Sequence, residues 1–202
     1  MSRPYRIVVT KVVEQEVKAA DHSVLTLKLD EPVGPERTGE LLAAALERGG
    51  WRAGEPGQFV KEGSGGETMV CDVEARTVTT RIEIGRTLSE QRRREIKGDT
   101  WNWQAMREKT PEEMAEIRRR EEDKLGDAVS EQRVRQAERD LARTAAERLA
   151  GGEEARRREV NRLAIEVTAA ALQEKARELG NVRSVDEAWH GEEYELTIAI
   201  SE

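Results

Sequence analysis

The sequence predicts an α+β protein: an antiparallel sheet built from both chain ends, helices packed on it, and an inserted long, charged helical hairpin. Three observations carry this. Both ends alternate apolar and polar residues as half-buried strands do; the middle, from about Leu88 to Leu179, is saturated with charge at helical spacing; neither end offers enough strands to fold alone. The middle is therefore expected to leave a small β-containing body as helix and return to complete it. The implied boundaries are a β-rich half with one helix at 1–88, a charged helical arm at 89–158, and a closing helix and hairpin at 159–202.

Tyr5 to Val13 reads as a strand, with Tyr5, Ile7 and Val9 on one face. Asp21-His22-Ser23 supplies a turn, and Leu25, Leu27 and Leu29 alternate in a second strand. Gly34-Pro35 opens a helix with proline in its first turn; Leu41, Leu42, Ala45 and Leu46 form its apolar stripe, and Gly49-Gly50 ends it. Trp51 to Gly66 is glycine-rich, with a short strand near Gln58 to Lys61. Thr68 to Glu74 and Arg76 to Ile84 form a hairpin, because the break between them is too short for a crossover. Met69, Cys71 and Val73 share one face of its first strand, and Val78, Thr80, Ile82 and Ile84 one face of its second.

The charged middle opens with a helical segment, Ser89 to Ile96, broken at Gly98-Asp99. Thr110-Pro111-Glu112-Glu113 is a helix start, with Thr as N-cap, Pro at the first position and Glu at the third. Met114, Ile117, Leu125, Ala128, Val134, Ala137, Leu141, Ala145 and Leu149 then recur at spacings near three and four. Unbroken, that helix would run roughly 58 Å at about 1.5 Å per residue, with Gly126 as the place for a kink. Its thin, Ala-rich stripe fits an antiparallel, coiled-coil-like hairpin with Gly151-Gly152 at the tip. From Leu163 to Leu172 apolar residues spread around the returning helix, so that part docks on the sheet, and Gly180-Asn181 caps it. Val182 to Trp189 and Tyr194 to Ile200 make a last hairpin around His190-Gly191-Glu192, with Leu196, Ile198 and Ile200 toward the core. The arm proper is Thr110–Arg158.

Composition narrows the function classes. Hydrophobic and charged residues each make up 37% of the 202 residues, against about 45–50% and 25% in ordinary domains, so much of the chain must be solvated helix surface. A net charge of -7 argues against general attraction to nucleic acid or an anionic membrane. A single cysteine, Cys71, excludes an internal disulfide and a cysteine-built zinc site. The opening Met-Ser-Arg-Pro-Tyr lacks the apolar core of a signal peptide and no run reaches membrane-spanning length, so a cytoplasmic protein is expected.

Residues that could carry chemistry are few. Gly57 to Gly66 lacks the Gly-Lys-Ser/Thr ending of a phosphate loop and reads as a flexible loop. His22 and His190 sit in expected turns without the convergent partners that catalysis or a metal needs, and Cys71 reads as a small core residue. The triplets Arg92 to Arg94, Arg118 to Arg120 and Arg156 to Arg158 are flanked by glutamates and fan around a helix, so they read as salt-bridged solvated surface. Trp101-Asn102-Trp103 holds half of the four tryptophans. The rings either pin the base of the arm to the body or form an exposed anchor, since Trp is favoured where binding energy concentrates.

Two stretches carry a family resemblance: the helix Leu41 to Leu46 followed by Gly-Gly-Trp-Arg-Ala-Gly-Glu, and the closing run Leu163–Leu179, Gly180-Asn181-Val182, Glu193-Tyr194-Glu195-Leu196-Thr197-Ile198. Together these cover about half the chain. They resemble a small uncharacterised α+β family of cyanobacteria and plastids, and related accessory proteins encoded beside bacterial AAA+ ATPases and von Willebrand A proteins. The charged arm departs from the compact plastid-type pattern. The resemblance implies a context, that of an accessory protein, and carries over no catalytic residue.

The expected function is a non-enzymatic adaptor or structural subunit of a bacterial multi-protein assembly, with no cofactor or metal. Protein partners or self-association are expected through the arm, at Trp101, Trp103, Arg118, Arg119, Arg120 and Leu141. The alternatives are a small enzyme using His190, Asp72 or Glu74, and a nucleic-acid-associated protein acting through the arginine triplets.

Overall fold

The alternation that starts at Tyr5 continues past the expected turn. From Tyr5 to Leu27 the odd-numbered residues are buried or half-buried, and from Thr10 the even-numbered ones are exposed. Asp21, His22 and Ser23 therefore continue one strand, β1 (Pro4–Thr26). Helix α1 (Pro35–Arg48) follows as expected, with Thr38, Leu42, Ala45 and Leu46 inward. Gly50 supplies the positive φ, +79°, that ends it. Next come β2 (Arg52–Ala53), β3 (Gln58–Glu62), β4 (Glu67–Asp72) and β5 (Thr77–Asp99). The computed structural model describes residues 3–63, 65–191 and 193–201.

β5 overturns the expected helix at Ser89 to Ile96. Even-numbered Ile82, Leu88, Glu90, Arg92 and Ile96 are buried or half-buried, whereas Gln91, Arg93, Glu95 and Lys97 are exposed, which is the period of a strand. Helix-forming composition yields here because β1 offers this segment a complete backbone ladder, and tertiary pairing outweighs a propensity difference of a few tenths of a kcal/mol per residue. The five-stranded sheet has the order β1-β5-β4-β3-β2. The β4–β5 hairpin pairs Cys71 with Val78 and Asp72 with Thr77, as the short break requires.

After β6 (Trp101–Asn102) and β7 (Arg107–Glu108), helix α2 (Pro111–Asp123) starts at the expected capping box. The helix does not reach Leu149. It stops at Asp123, Gly126 takes φ +74°, and α3 (Glu131–Gly151) begins after the break. Helix α4 (Glu153–Leu179) follows the Gly151-Gly152 turn. The chain closes in β8 (Asn181–His190) and β9 (Glu193–Ser201), a two-stranded antiparallel sheet of its own. Antiparallel sheets thus come from both chain ends, and the fold class is α+β. In the last hairpin Leu196 and Ile198 are half-buried, whereas Ile200, on the same face but at the end of the strand, is exposed; Glu192, at its tip, lies outside the described residues.

Two compact units form: residues up to Ala19 with Gly85–Leu141, and Ala20–Ile84 with Ala142 onward. The first buries Val9, Val13, Val17, Leu88, Val129, Ala137 and Leu141. It adds ion pairs from β1 and β5 to the following segments: Lys11 with Asp127 in the α2–α3 connection, Arg94 with Glu121 of α2, and Glu90 with Arg133 of α3 and with Arg92 of its own strand. The Glu90 carboxylate also accepts the Ser130 N–H at 3.0 Å.

The second unit holds the larger apolar core. Leu27, Leu42, Leu46, Trp51, Phe59, Met69, Cys71, Val78, Val160, Leu163 and Val167 form one cluster, with α4 packed on α1 and on the closing hairpin. Ala145 and Leu149 of α3 pack on Ile82 and Ile84. These two residues of the stripe read as the seam of a helical hairpin therefore serve the sheet.

One member of an arginine triplet also departs from the solvated reading. Arg156 is 4% exposed, pairs with Glu67 at 3.2 Å, and donates to the Leu149 carbonyl. Truncating one partner of a buried pair strands the other charge. Arg156→Ala should lower unfolding stability by about 3 kcal/mol, read from urea denaturation. Arg157→Ala, which removes an exposed i,i+4 pair with Glu153, should stay within about 0.5 kcal/mol of the parent. Equal effects of the two would refute the buried role.

Candidate partner-binding site

Between β5 and α2 the chain makes a tight hairpin from very short strands, and side chains hold what the backbone ladder cannot. Trp101 pairs with Glu108 and Asn102 with Arg107. The Lys109 N–H donates to the Thr100 carbonyl at 2.7 Å, and the Asp99 carboxylate accepts the Trp101 N–H at 3.0 Å. Asn102 Oδ1 accepts the N–H groups of Gln104 and Ala105, each at 3.1 Å. That Asx-type closure shapes the turn. Met106 completes it at φ +51°, a left-handed conformation that is costly for a residue with a side chain and persists because its surroundings fix it.

Glu113 is the centre of that fixation. Its carboxylate accepts Asn102 Nδ2 at 3.0 Å, the Arg107 guanidinium through two bonds of 2.9 and 3.1 Å, and the Thr110 N–H at 2.7 Å. Thr110 Oγ1 in turn accepts the Glu113 N–H at 3.3 Å. One residue thus caps α2 and clamps the hairpin to it. The bonds from Arg107, then from the Thr110 backbone, hold the Glu113 carboxyl below the ordinary value of 4.5.

The clamp presents apolar surface. Trp103 is 70% and Met106 69% exposed, side by side in the turn. Trp101 is half-buried behind them, edge-on to Trp103 with centroids 6.3 Å apart. The two tryptophans thus differ in place: Trp101 is half-buried and Trp103 is the outward ring. Arg118, Arg119 and Arg120 lie exposed further along α2, Arg120 facing Glu116 at 3.4 Å. Leu141 is buried and is not presented to a partner. Sequence reasoning placed Glu113 in the helix cap but missed its bonds to the hairpin, and it missed Met106 and Arg107, because nothing local announces a turn with a left-handed methionine.

The residues named for an enzymatic alternative do not assemble. Asp72 accepts the Ala75 N–H at 2.8 Å within the β4–β5 turn, and His190 faces Glu195 at 3.5 Å on the last hairpin. Burial pushes the Cys71 thiol up to about 11, away from a reactive thiolate. Among the described residues no cluster of three or more His, Cys, Asp or Glu is placed to hold a metal, and no helix is long and apolar enough to cross a membrane.

The chain belongs to the family described as FtsH ternary system domain X5, whose model it matches over residues 1–201. It is thereby an accessory domain of an AAA+ protease-associated system, and a ternary system implies protein partners. No curated protein and no solved structure matches the chain. The match supports the AAA+ side of the resemblance seen in the sequence.

Glu113 sets a pH dependence of known sign. A carboxylate whose folded pKa is depressed contributes stability that is fully present above its unfolded value and lost as pH falls through the folded one. Amide resonances of Gln104, Ala105 and Thr110 should be constant above pH 4.5 and shift together toward unstructured values below it. Glu113→Gln should weaken the clamp at neutral pH and abolish that transition.

Proposed function

We propose that the chain is a non-enzymatic adaptor of an FtsH-associated AAA+ assembly and that it grips a protein partner through the Trp103–Met106 turn. The exposed Arg118 to Arg120 stretch of α2 flanks that contact. The single observation that carries the reading is the pairing of two large exposed apolar side chains with a turn that is expensive to hold. A solvent-exposed tryptophan gains nothing for the fold, and a left-handed methionine costs of the order of 1 kcal/mol or more. Pre-organising an aromatic anchor removes ordering entropy that association would otherwise cost. The exposed guanidinium groups further along α2 favour a partner with acidic character and speed its encounter.

Co-expression with FtsH and the other proteins of the system, followed by size-exclusion chromatography and calorimetry, tests this. The chain should co-elute with at least one of them. Trp103→Ala combined with Met106→Ser should weaken that complex on the order of 30-fold, as loss of a hot spot of about 2 kcal/mol does, with circular dichroism and melting temperature unchanged. Charge reversal of Arg118 to Arg120 should slow association more than it speeds dissociation. Undiminished affinity of the double variant would remove the hairpin from the interface, and failure to co-elute with any of them would sink the adaptor reading itself.

A further inference from the structure

A second recognition feature lies wholly within the other unit. A groove of about 670 Å³ runs between the middle of α4, the end of α1 and the tip of the β8–β9 hairpin, a size within the ~300–1,000 Å³ of ligand-binding clefts. Local sequence builds its walls. Gly49-Gly50 ends α1 and turns the chain so that the Trp51 N–H donates to the Leu46 carbonyl at 3.0 Å, seating the ring in the core with only 6% exposed. Lys61 lies over that ring at 5.8 Å and pairs with Glu159 of α4 at 2.7 Å. Val160 and Leu163 give the groove an apolar floor.

The opposite rim is different in kind. Trp189, 43% exposed, packs against Tyr194 with centroids 4.9 Å apart. Arg162 of α4 lies over the Trp189 ring at 5.6 Å. Among the described residues Arg162 pairs with no carboxylate, whereas Arg156, Arg157 and Arg158 on the preceding turns of α4 each have one. Stacking on an indole holds a guanidinium in place while leaving its N–H donors free for an anion. The groove is lined by Lys61, Arg158 and Arg162 against the carboxylates of Glu159 and Glu166, a slight positive excess in a protein whose net charge is -7.

We infer that this groove binds an acidic peptide segment of a partner protein, with a bulky apolar side chain on the Val160–Leu163 floor beside Trp189 and a carboxylate on Arg162. The apolar side chain supplies the binding energy, and the carboxylate sets register and excludes basic segments. The site is independent of the Trp103 turn, and a chain that has both can hold two protein segments at once.

Fluorescence anisotropy on the full chain tests this with three labelled peptides of equal length: one of glutamates around a central leucine, one with that leucine replaced by glycine, and one with the glutamates replaced by lysines. The first should bind at least tenfold more tightly than either of the others. Arg162→Glu and Trp189→Ala should each lower its affinity tenfold or more, and Trp103→Ala should leave it unchanged, which separates this site from the hairpin. Melting temperatures of the variants establish that the groove is still folded. Equal binding of the three peptides, affinity unaffected by Arg162→Glu, or displacement of the peptide by a single-stranded oligonucleotide at equal concentration would overturn the inference.

Discussion

The pairing of β1 with β5 is the constraint on which the rest of this fold depends. Both strands enter both compact units, and both carry residues that no other arrangement would suit. Val9, Val13 and Val17 are β-branched, sit on one face and are buried, and a strand alone would leave their backbone N–H and C=O groups without partners. β5 supplies those partners from a segment rich in arginine and glutamate. Such residues are comfortable in a strand as long as their charged ends reach water. The exposed faces of Arg93, Glu95 and Lys97 do so, and the inward Arg92 is met by Glu90 and the Leu125 carbonyl.

The two units are stabilised in different ways. In the second, a continuous apolar cluster from β3, β4, β5, α1 and α4 removes large side chains from water, each contributing roughly 1.5–3 kcal/mol. The first has smaller buried residues and many exposed ion pairs, and such pairs contribute about 0–1 kcal/mol each. Its order therefore leans on local devices: the capping box at Thr110, the Asx closure at Asn102 and the carboxylate of Glu113. That division suits a protein that presents surface. The clamped turn is held by bonds that work at the edge of solvent.

Much of this was readable in advance where the determinants are local. The α1 stripe and its glycine end, the β4–β5 break, the Thr110 box and the closing hairpin each carry their signal within a few residues, and each forms where expected. The errors share one cause. Arg92 to Arg94 has the composition of a solvated helix, Asp21-His22-Ser23 that of a turn, and Ala145 with Leu149 that of a helical seam. In each case the decision came from a partner distant in the chain: β5 for the first strand, β1 for the arginine run, Ile82 and Ile84 for the seam. Arg156 belongs here too, since only the approach of Glu67 makes an interior position tolerable for it.

The site shows the same divide. By itself the sequence determined that the chain is α+β, that it has too little apolar content for a large core, and that Trp101 and Trp103 stand out in a charged neighbourhood. Spacing and side-chain chemistry fix those properties before any folding. The tertiary structure alone decided that Trp101 turns inward while Trp103 and Met106 turn outward, that Leu141 is covered, and that Arg162 meets Trp189 across a groove. Those outcomes depend on which backbone groups pair across long separations and on where the side chains then have room.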